Sequence, residues 1–129
     1  MIDIHNHVLP NLDDGSKSLQ MSLKMLREAE SQGITDVVNT VHFQHPKMAN
    51  KKINFEIVNE EAKKLQNQID KERIKIKIHI GSEIFFSPEI LKLKDNPICT
   101  IGGGKYMLIE FPVMNFPNRF EEELYDLKL

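Results

Sequence analysis

Histidine and carboxylate residues recur at the ends of the segments that this sequence predicts as strands. His5 and His7 end the first of these segments, His42 the second, Glu83 the third and Glu110 the fourth. Side chains two positions apart in an extended segment lie on the same side, so both imidazoles of the first pair would face one ligand. Imidazole nitrogens and carboxylate oxygens suit zinc, manganese or iron, and a carboxylate can bridge two ions. The pattern therefore predicts a metal site.

Other residues with reactive side chains have simpler interpretations. Asp13-Asp14-Gly15 taken alone predicts a turn, and His45 predicts a solvated loop residue that could reach a phosphate. His79 alternates with isoleucines and predicts the surface of a strand. The single cysteine, Cys99, cannot form an internal disulfide and lies in an apolar segment without a nearby histidine. We therefore expect Cys99 to be structural.

The elements that must position these residues alternate between strands and helices. Ser16 or Ser18 is the expected N-cap of the first helix, and Gly33 is its expected end. Strands are predicted over residues 1–5, 36–41, 74–80 and 106–110. The first helix is predicted to run to about residue 32, and further helices are predicted over 54–70, 89–94 and 119–129. This order predicts an α/β fold with a parallel sheet. In such a sheet the loops that follow the strands gather at one rim.

Length and composition restrict the classes of protein to consider. The 129 residues suit one domain, and 40% hydrophobic with 28% charged residues is typical of a globular protein. There is no apolar stretch of about 20 residues and no basic segment before an apolar core, so we expect a cytoplasmic protein without membrane insertion. A net charge of −2 gives no general attraction for nucleic acid, which we do not expect as a partner.

Several motifs occur in a characteristic order along the chain. The sequence opens with His5-Asn6-His7, then Leu9-Pro10, then Asp13-Asp14-Gly15. The later motifs are Gly33-Ile34-Thr35, Thr40-Val41-His42, Gly81-Ser82-Glu83-Ile84 and Leu108-Ile109-Glu110-Phe111. Together they resemble the PHP-type protein-tyrosine phosphatases of bacterial capsule and exopolysaccharide operons, which belong to the polymerase-and-histidinol-phosphatase superfamily. The resemblance covers essentially the whole chain, and Val41 stands where the family usually has proline.

This resemblance implies the N-terminal βα units of a distorted (β/α)7 barrel, incomplete in this chain. It also implies up to three divalent ions, with manganese as the first choice and iron or zinc as alternatives. His5, His7 and Glu83 would surround one ion, Glu83 would bridge to a second, and Asp14 and His42 would serve a third. The implied reaction is hydrolysis of phosphotyrosine on the tail of a membrane-associated bacterial tyrosine kinase. Water activated by the ions would be the nucleophile.

The chain departs from the family pattern in two places. The family draws a ligand from the helix after the fourth strand, where this sequence has Arg119-Phe120-Glu121-Glu122-Glu123 and no histidine, although a carboxylate could substitute. Family members also continue with a His-Pro-Glu-Arg segment and an Asp-x-His segment. Because a closed barrel needs about 200–250 residues, we expect the first half of a domain, with little activity alone and an open edge that could self-associate.

Alternative functions share the same predicted ligands. Another phosphoesterase of the superfamily, such as a histidinol phosphatase, would use the same histidines and carboxylates. A nucleic-acid exonuclease is less consistent with the sequence, which has no basic stripe. A truncated, non-catalytic metal-binding remnant is the third alternative, and a naturally minimal domain that closes its edge by self-association is a further one.

Overall fold

The computed structural model describes residues 1–114 and 116–127. Over these residues, parallel strands alternate with helices, and the strand order in the sheet is β1-β2-β3-β4. The strands are β1 (Ile2–Asn6), β2 (Asp36–Phe43), β3 (Lys77–Phe85) and β4 (Leu108–Glu110), and the α-helices are α1 (Leu19–Ser31), α2 (Phe55–Lys71) and α3 (Phe120–Asp126). The predicted α/β fold with a parallel sheet is confirmed.

The first two helices begin at side-chain caps. The Met21 N–H donates to Ser18 Oγ at 3.1 Å, and the Ile57 N–H donates to Asn54 Oδ1 at 2.9 Å. Each bond satisfies a backbone donor that has no partner within the first helical turn. Gly33, with a φ of 81°, follows α1 in the left-handed region that favours glycine. The Ser18 start and the Gly33 stop predicted from the sequence are both present.

The third strand lies further along the chain than its sequence pattern indicates. We predicted residues 74–80, but pairing with β2 begins at Lys77, which is the register partner of Asp36 at the start of that strand. Ile74 and Ile76 are buried before the strand begins, in a segment held to α2 where Gln66 Nε2 donates to the Ile76 carbonyl at 3.1 Å. Apolar alternation marks burial on one face, whereas the neighbouring strand determines where pairing starts.

Side chains from the strands, helices and loops form one buried apolar cluster. Val37 and Val41 of β2, Ile84 of β3, Leu26 of α1 and Leu65 of α2 belong to it. At the edges of the described sheet, β1 and β4 each pair on one side only. Ile2 and Ile4 of β1 are among the exposed apolar residues. Unpaired edges with apolar side chains favour association, so the expected self-association stays a prediction.

Two predicted helices differ from the observed elements. The helix predicted over residues 89–94 is a 3-10 turn at Ile90–Leu93. The last helix was predicted over residues 119–129, but Arg119 has a φ of 64°, and α3 covers Phe120–Asp126. Its predicted final residues, Lys128 and Leu129, lie outside the described residues. Within the described part of the chain, no helix has both the length and the apolar character needed to cross a bilayer.

Candidate metal centre

The strand register brings three of the candidate residues to one end of the sheet. His42 of β2 and Glu83 of β3 are direct register partners. Glu110, the last residue of β4, pairs with Phe85, two positions beyond Glu83. His42 and Glu83 therefore lie within the last three residues of their strands and not after them, which corrects the predicted boundaries. The C-terminal rim is nevertheless where all three side chains meet, as parallel strands require.

The loop after β1 folds back over the same rim because of Gly15. A Cβ atom at this position would lie 2.2 Å from the His7 carbonyl oxygen and 2.3 Å from the His7 Cβ. Only glycine tolerates this approach. The Ser16 N–H donates to the His7 carbonyl at 3.0 Å and fixes the reversal. As a result, the loop carries Asp13 and Asp14 to within contact of the histidines.

One oxygen of Glu83 is surrounded by imidazoles. Glu83 Oε2 lies 3.1 Å from His7 Nε2, 3.2 Å from His5 Nε2 and 3.5 Å from His42 Nδ1. Donor atoms at about 2.0–2.2 Å from a common ion lie roughly 3.0–3.6 Å from one another, so these spacings are compatible with ligands around a metal. Glu83 is largely buried, while His5 keeps half of its side chain exposed, at 49%. The centre is therefore open to solvent beside His5.

Asp13 is the residue that holds His7 in place. Its Oδ2 lies 2.7 Å from His7 Nδ1 and accepts the His42 N–H at 3.1 Å, while its Oδ1 accepts the Gly15 N–H at 3.0 Å. Burial alone would raise the pKa of Asp13, but the hydrogen bonds from His7 and the two backbone amides hold that pKa below its ordinary value. For His7 the effects are opposite in sign: burial alone would lower its pKa. The hydrogen bond and the negative charge of Asp13 outweigh burial, so the pKa of His7 is raised above its ordinary value.

Sequence reasoning assigned Asp13 only to a turn and missed this role. The signal that could have found it is the doubled aspartate, because one carboxylate can face the ions while its neighbour orients a histidine ligand. Asp14 is the outward member of the pair, with a side chain 61% exposed, and its Oδ1 lies 3.3 Å from His42 Nε2. The two aspartates thus contact different nitrogens of the same cluster.

His45 also lies in the cluster, contrary to its predicted solvated position. Its side chain is only 11% exposed, its ring centroid is 5.0 Å from that of His42, and its Nε2 lies 3.5 Å from Glu110 Oε1. Phe85 packs edge-on against the same ring at 4.9 Å. The prediction was wrong because a Pro46–Met48 3-10 turn directs the loop back over the sheet end. The His45-Pro46 sequence alone does not indicate that the loop turns back over the sheet.

The donor set fits divalent metal ions. Among the described residues, His42 Nδ1 and Glu110 Oε2 are buried side-chain atoms with no hydrogen-bond partner, although they lie 3.3 Å apart. An unsatisfied buried polar atom costs about 1–3 kcal/mol, so two such atoms in one place suit a shared binding partner. A cation shared by the imidazole and the carboxylate would satisfy both. Imidazole and carboxylate together favour a transition metal or zinc over calcium.

Three overlapping groups of side chains have donor atoms close enough to share an ion. These groups are His5, His7 and Glu83; His7, Asp14 and His42; and His42, Glu83 and Glu110. All five predicted ligands are therefore near one another, and their role as ligands stays a prediction. Within the described residues, no group includes a carboxylate of α3, where we considered a substitute ligand. Glu122 instead accepts a hydrogen bond from Arg119 Nε at 2.8 Å.

Two candidate residues lie outside the cluster. His79 Nε2 is 2.8 Å from Asp36 Oδ1, a contact between the starts of β3 and β2. Cys99 is fully buried, and burial raises the pKa of its thiol to about 11, with a smaller opposing effect from Ser82. A buried thiol with a raised pKa is a poor nucleophile. Both residues occupy positions consistent with the structural interpretations given to them.

Comparisons with known proteins agree with one another. The family model described as capsular polysaccharide synthesis, CpsB/CapC, matches residues 1–129. The tyrosine-protein phosphatase YwqE of Bacillus subtilis is 35% identical over 130 residues, which are 100% of this chain and 50% of the relative. The tyrosine-protein phosphatase CpsB of Streptococcus agalactiae is 37% identical over 117 residues, which are 86% of this chain and 45% of the relative.

A solved structure is similar along nearly the same length. It belongs to a set of crystal structures of YwqE from Bacillus subtilis and CpsB from Streptococcus pneumoniae, which are described as unique metal-dependent tyrosine phosphatases. The TM-score is 0.91 at 35% identity, and the match covers 98% of this chain and 51% of the solved chain. The chain thus spans about half the length of the relatives that it matches.

Proposed function

The chain belongs to the capsular polysaccharide synthesis CpsB/CapC family, and from this premise we propose that it supplies the first half of a metal-dependent protein-tyrosine phosphatase. The observation that carries the proposal is the position of Glu83 Oε2 within 3.5 Å of His5, His7 and His42. A carboxylate in this position could contact more than one ion, as in two-metal phosphatase sites. Residues 1–129 would belong to a single domain of the distorted (β/α)7 barrel type, because the relatives are about twice as long.

The residues of the centre have proposed parts either in holding ions or in orienting a ligand. His5, His7 and Glu83 would hold one divalent ion, and Glu83 would extend to a second that also contacts His42 or Glu110. Asp14 and His42 would serve a third. Manganese is the proposed ion, with iron or zinc as alternatives, because imidazole and carboxylate ligands accept all three. Asp13 would keep the Nε2 atom of His7 directed at the ions.

The chemistry follows from what phosphomonoester hydrolysis requires. When bound, the divalent ions neutralise phosphoryl oxygens and activate water for attack on phosphorus. The residues of this chain orient the ions, and the exposed side of the centre next to His5 keeps it accessible from solvent. Cys99 takes no part, because it is buried outside the cluster. The reaction would therefore require added metal and would be insensitive to reagents that modify thiols.

The proposed substrate is phosphotyrosine on the tail of a membrane-associated bacterial tyrosine kinase. Two relatives are named tyrosine-protein phosphatases, and the family is one of capsular polysaccharide synthesis, which supports this assignment. A substrate on a kinase tail would place the protein in the cytoplasm. Neither nucleic acid nor the membrane interior is a proposed partner, in keeping with the net charge of −2.

The test combines metal retention with substrate preference in the 129-residue chain. The chain is loaded with Mn²⁺, separated from excess metal and measured for bound manganese by mass spectrometry. Wild type and the exposed control Glu89→Gln should retain manganese, and Glu83→Gln should lose most of it. Trace hydrolysis of a phosphotyrosine peptide should exceed that of histidinol phosphate.

The same experiment separates the alternatives. A preference for histidinol phosphate would replace the proposed substrate by that of another superfamily phosphoesterase. Retained manganese with no hydrolysis of either compound would favour a non-catalytic metal-binding domain. If the wild type retained no manganese, the proposal as a whole would fail.

A further inference from the structure

A cavity beside the metal centre is lined mainly by residues that have no proposed part in holding ions. It has a volume of about 320 Å³ and is formed by the loop between β2 and α2. Its walls include His42, Phe43, His45, Met48, Lys51 and Ile53. Small-ligand pockets range from about 300 to 1,000 Å³, so this cavity suits a single ring and not a large cofactor. Because His42 and His45 belong to both the cavity and the centre, a group in the cavity would lie next to the ions.

The ring of His45 has one defined orientation between the two sites. The Lys47 N–H donates to His45 Nδ1 at 3.0 Å, so in the neutral ring the hydrogen is on Nε2. That Nε2 faces Glu110 Oε1 at 3.5 Å, which is longer than a good hydrogen bond. The edge-on contact with Phe85 holds the ring in place. The Nε2–H of His45 therefore lies between the cavity and the centre and lacks a short hydrogen bond to Glu110.

The cavity has both polar and apolar walls, and the apolar ones are partly fixed by the fold. Phe43 and Ile53 pack against the hydrophobic core, while Met48 lies in the 3-10 turn above it. Lys51 lies at the rim, and its Nζ donates to the Asn11 carbonyl at 3.4 Å, which connects this loop to the loop that carries Asp13. Apolar walls with a methionine sulfur favour an aromatic ring, and a lysine at the rim favours an anionic ligand.

We propose that this cavity binds the aromatic ring of an aryl phosphomonoester whose phosphoryl group lies at the metal centre, with the Nε2–H of His45 donating to a phosphoryl oxygen. The inference rests on the proposed function and deepens it by locating the selection for phosphotyrosine. A phosphoserine side chain has no ring to fill the cavity. It would bind through its phosphoryl group alone and so more weakly.

The test uses phosphonates, which cannot be hydrolysed, and measures binding instead of turnover. The Zn²⁺-loaded chain is titrated with phenylphosphonate and with methylphosphonate, and amide resonances are followed by NMR. Phenylphosphonate should bind about tenfold more tightly, because part of its apolar surface is buried. Resonances of Met48, Ala49 and Ile53 should shift with the phenyl compound only, whereas those near His45 should shift with both phosphonates.

Two variants and one control assign the effect to the cavity. Ala49→Phe should fill the cavity and reduce the affinity ratio to near one, while methylphosphonate binds as before. Met48→Ala should reduce the ratio, and Met21→Ala, a matched change on the exposed side of α1, should not. An affinity ratio near one in the wild type, or a ratio unchanged in both cavity variants, would overturn the inference. If neither phosphonate bound, the proposed function would fail and the cavity assignment with it.

Discussion

Asp13 Oδ2 lies 2.7 Å from Nδ1 of His7, so the other nitrogen of that ring faces Glu83. The carboxylate also accepts two backbone N–H groups, from Gly15 and His42, and is almost fully buried. A second carboxylate that fixes a histidine ligand determines its tautomer and its direction. The Asp13–His7 contact therefore links the loop after β1 to the candidate metal centre.

The first prediction concerns this orientation. Asp13→Asn should weaken divalent metal binding by about 10- to 100-fold, because an amide neither fixes the His7 tautomer nor supplies negative charge. Isothermal titration with Mn²⁺ measures the effect. Asp95→Asn, an exposed aspartate away from the centre, is the matched control and should bind like wild type. Equal affinities for the two variants would show that Asp13 only shapes the turn.

The second prediction compares two glycines. Gly15→Ala should lower the free energy of unfolding by about 3 kcal/mol or more and disrupt metal binding, because its Cβ would overlap His7. Gly33→Ala also has an unfavourable positive φ, but nothing lies within 4 Å of its Cβ. Its cost should be only about 1 kcal/mol, with metal binding unchanged. Urea denaturation measures both, and a larger cost at Gly33 would contradict the packing described for Gly15.

Most residues of the centre could be predicted from the sequence, because the C-terminal ends of parallel strands meet at one rim of the sheet. His5, His7, His42, Glu83 and Glu110 could be placed at one rim since each lies near the C-terminal end of a predicted strand. The strand boundaries themselves were less accurate. Ile74 and Ile76 continue the apolar alternation although they precede β3, because burial against α2 gives the same pattern as pairing.

The contacts of Asp13 and His45 at the centre were not predicted, for a different reason. Both depend on loops that reverse direction, one at the close contact of Gly15 with His7 and one at the 3-10 turn after His45. Asp13 contacts the backbone of His42, 29 residues away. Such contacts are set by tertiary packing, and local residue types do not give their geometry.

The third prediction concerns the single cysteine. Cys99→Ser should leave metal binding unchanged and should lower the free energy of unfolding by about 1 kcal/mol or more, because it buries a hydroxyl in an apolar site. Thermal melts and manganese titration test the two parts. Loss of metal binding with an intact fold would place Cys99 in the centre after all.

The fourth prediction concerns acid stability at the start of the sheet. The hydrogen bond from His79, with a smaller contribution from Thr35, lowers the pKa of Asp36 below its ordinary value of 3.8. The unfolded chain therefore binds the proton more readily, so the stabilisation is present above pH 3.8 and is lost as the pH falls through the folded-state pKa. Asp36→Asn should flatten the dependence of stability on pH in that acidic range. Identical profiles for variant and wild type in urea melts between pH 3 and 5 would refute this.

The central claim is that Glu83 shares ions with the surrounding histidines, and anomalous diffraction from crystals grown with Mn²⁺ tests it most directly. Data collected on both sides of the manganese absorption edge locate the ions independently of any activity. We expect anomalous peaks within bonding distance of Glu83, at about 2.0–2.2 Å, with His5 and His7 around one of them. A second peak should lie on the His42 side of the same carboxylate. Strong manganese peaks elsewhere on the protein, with none in contact with Glu83, would contradict the account.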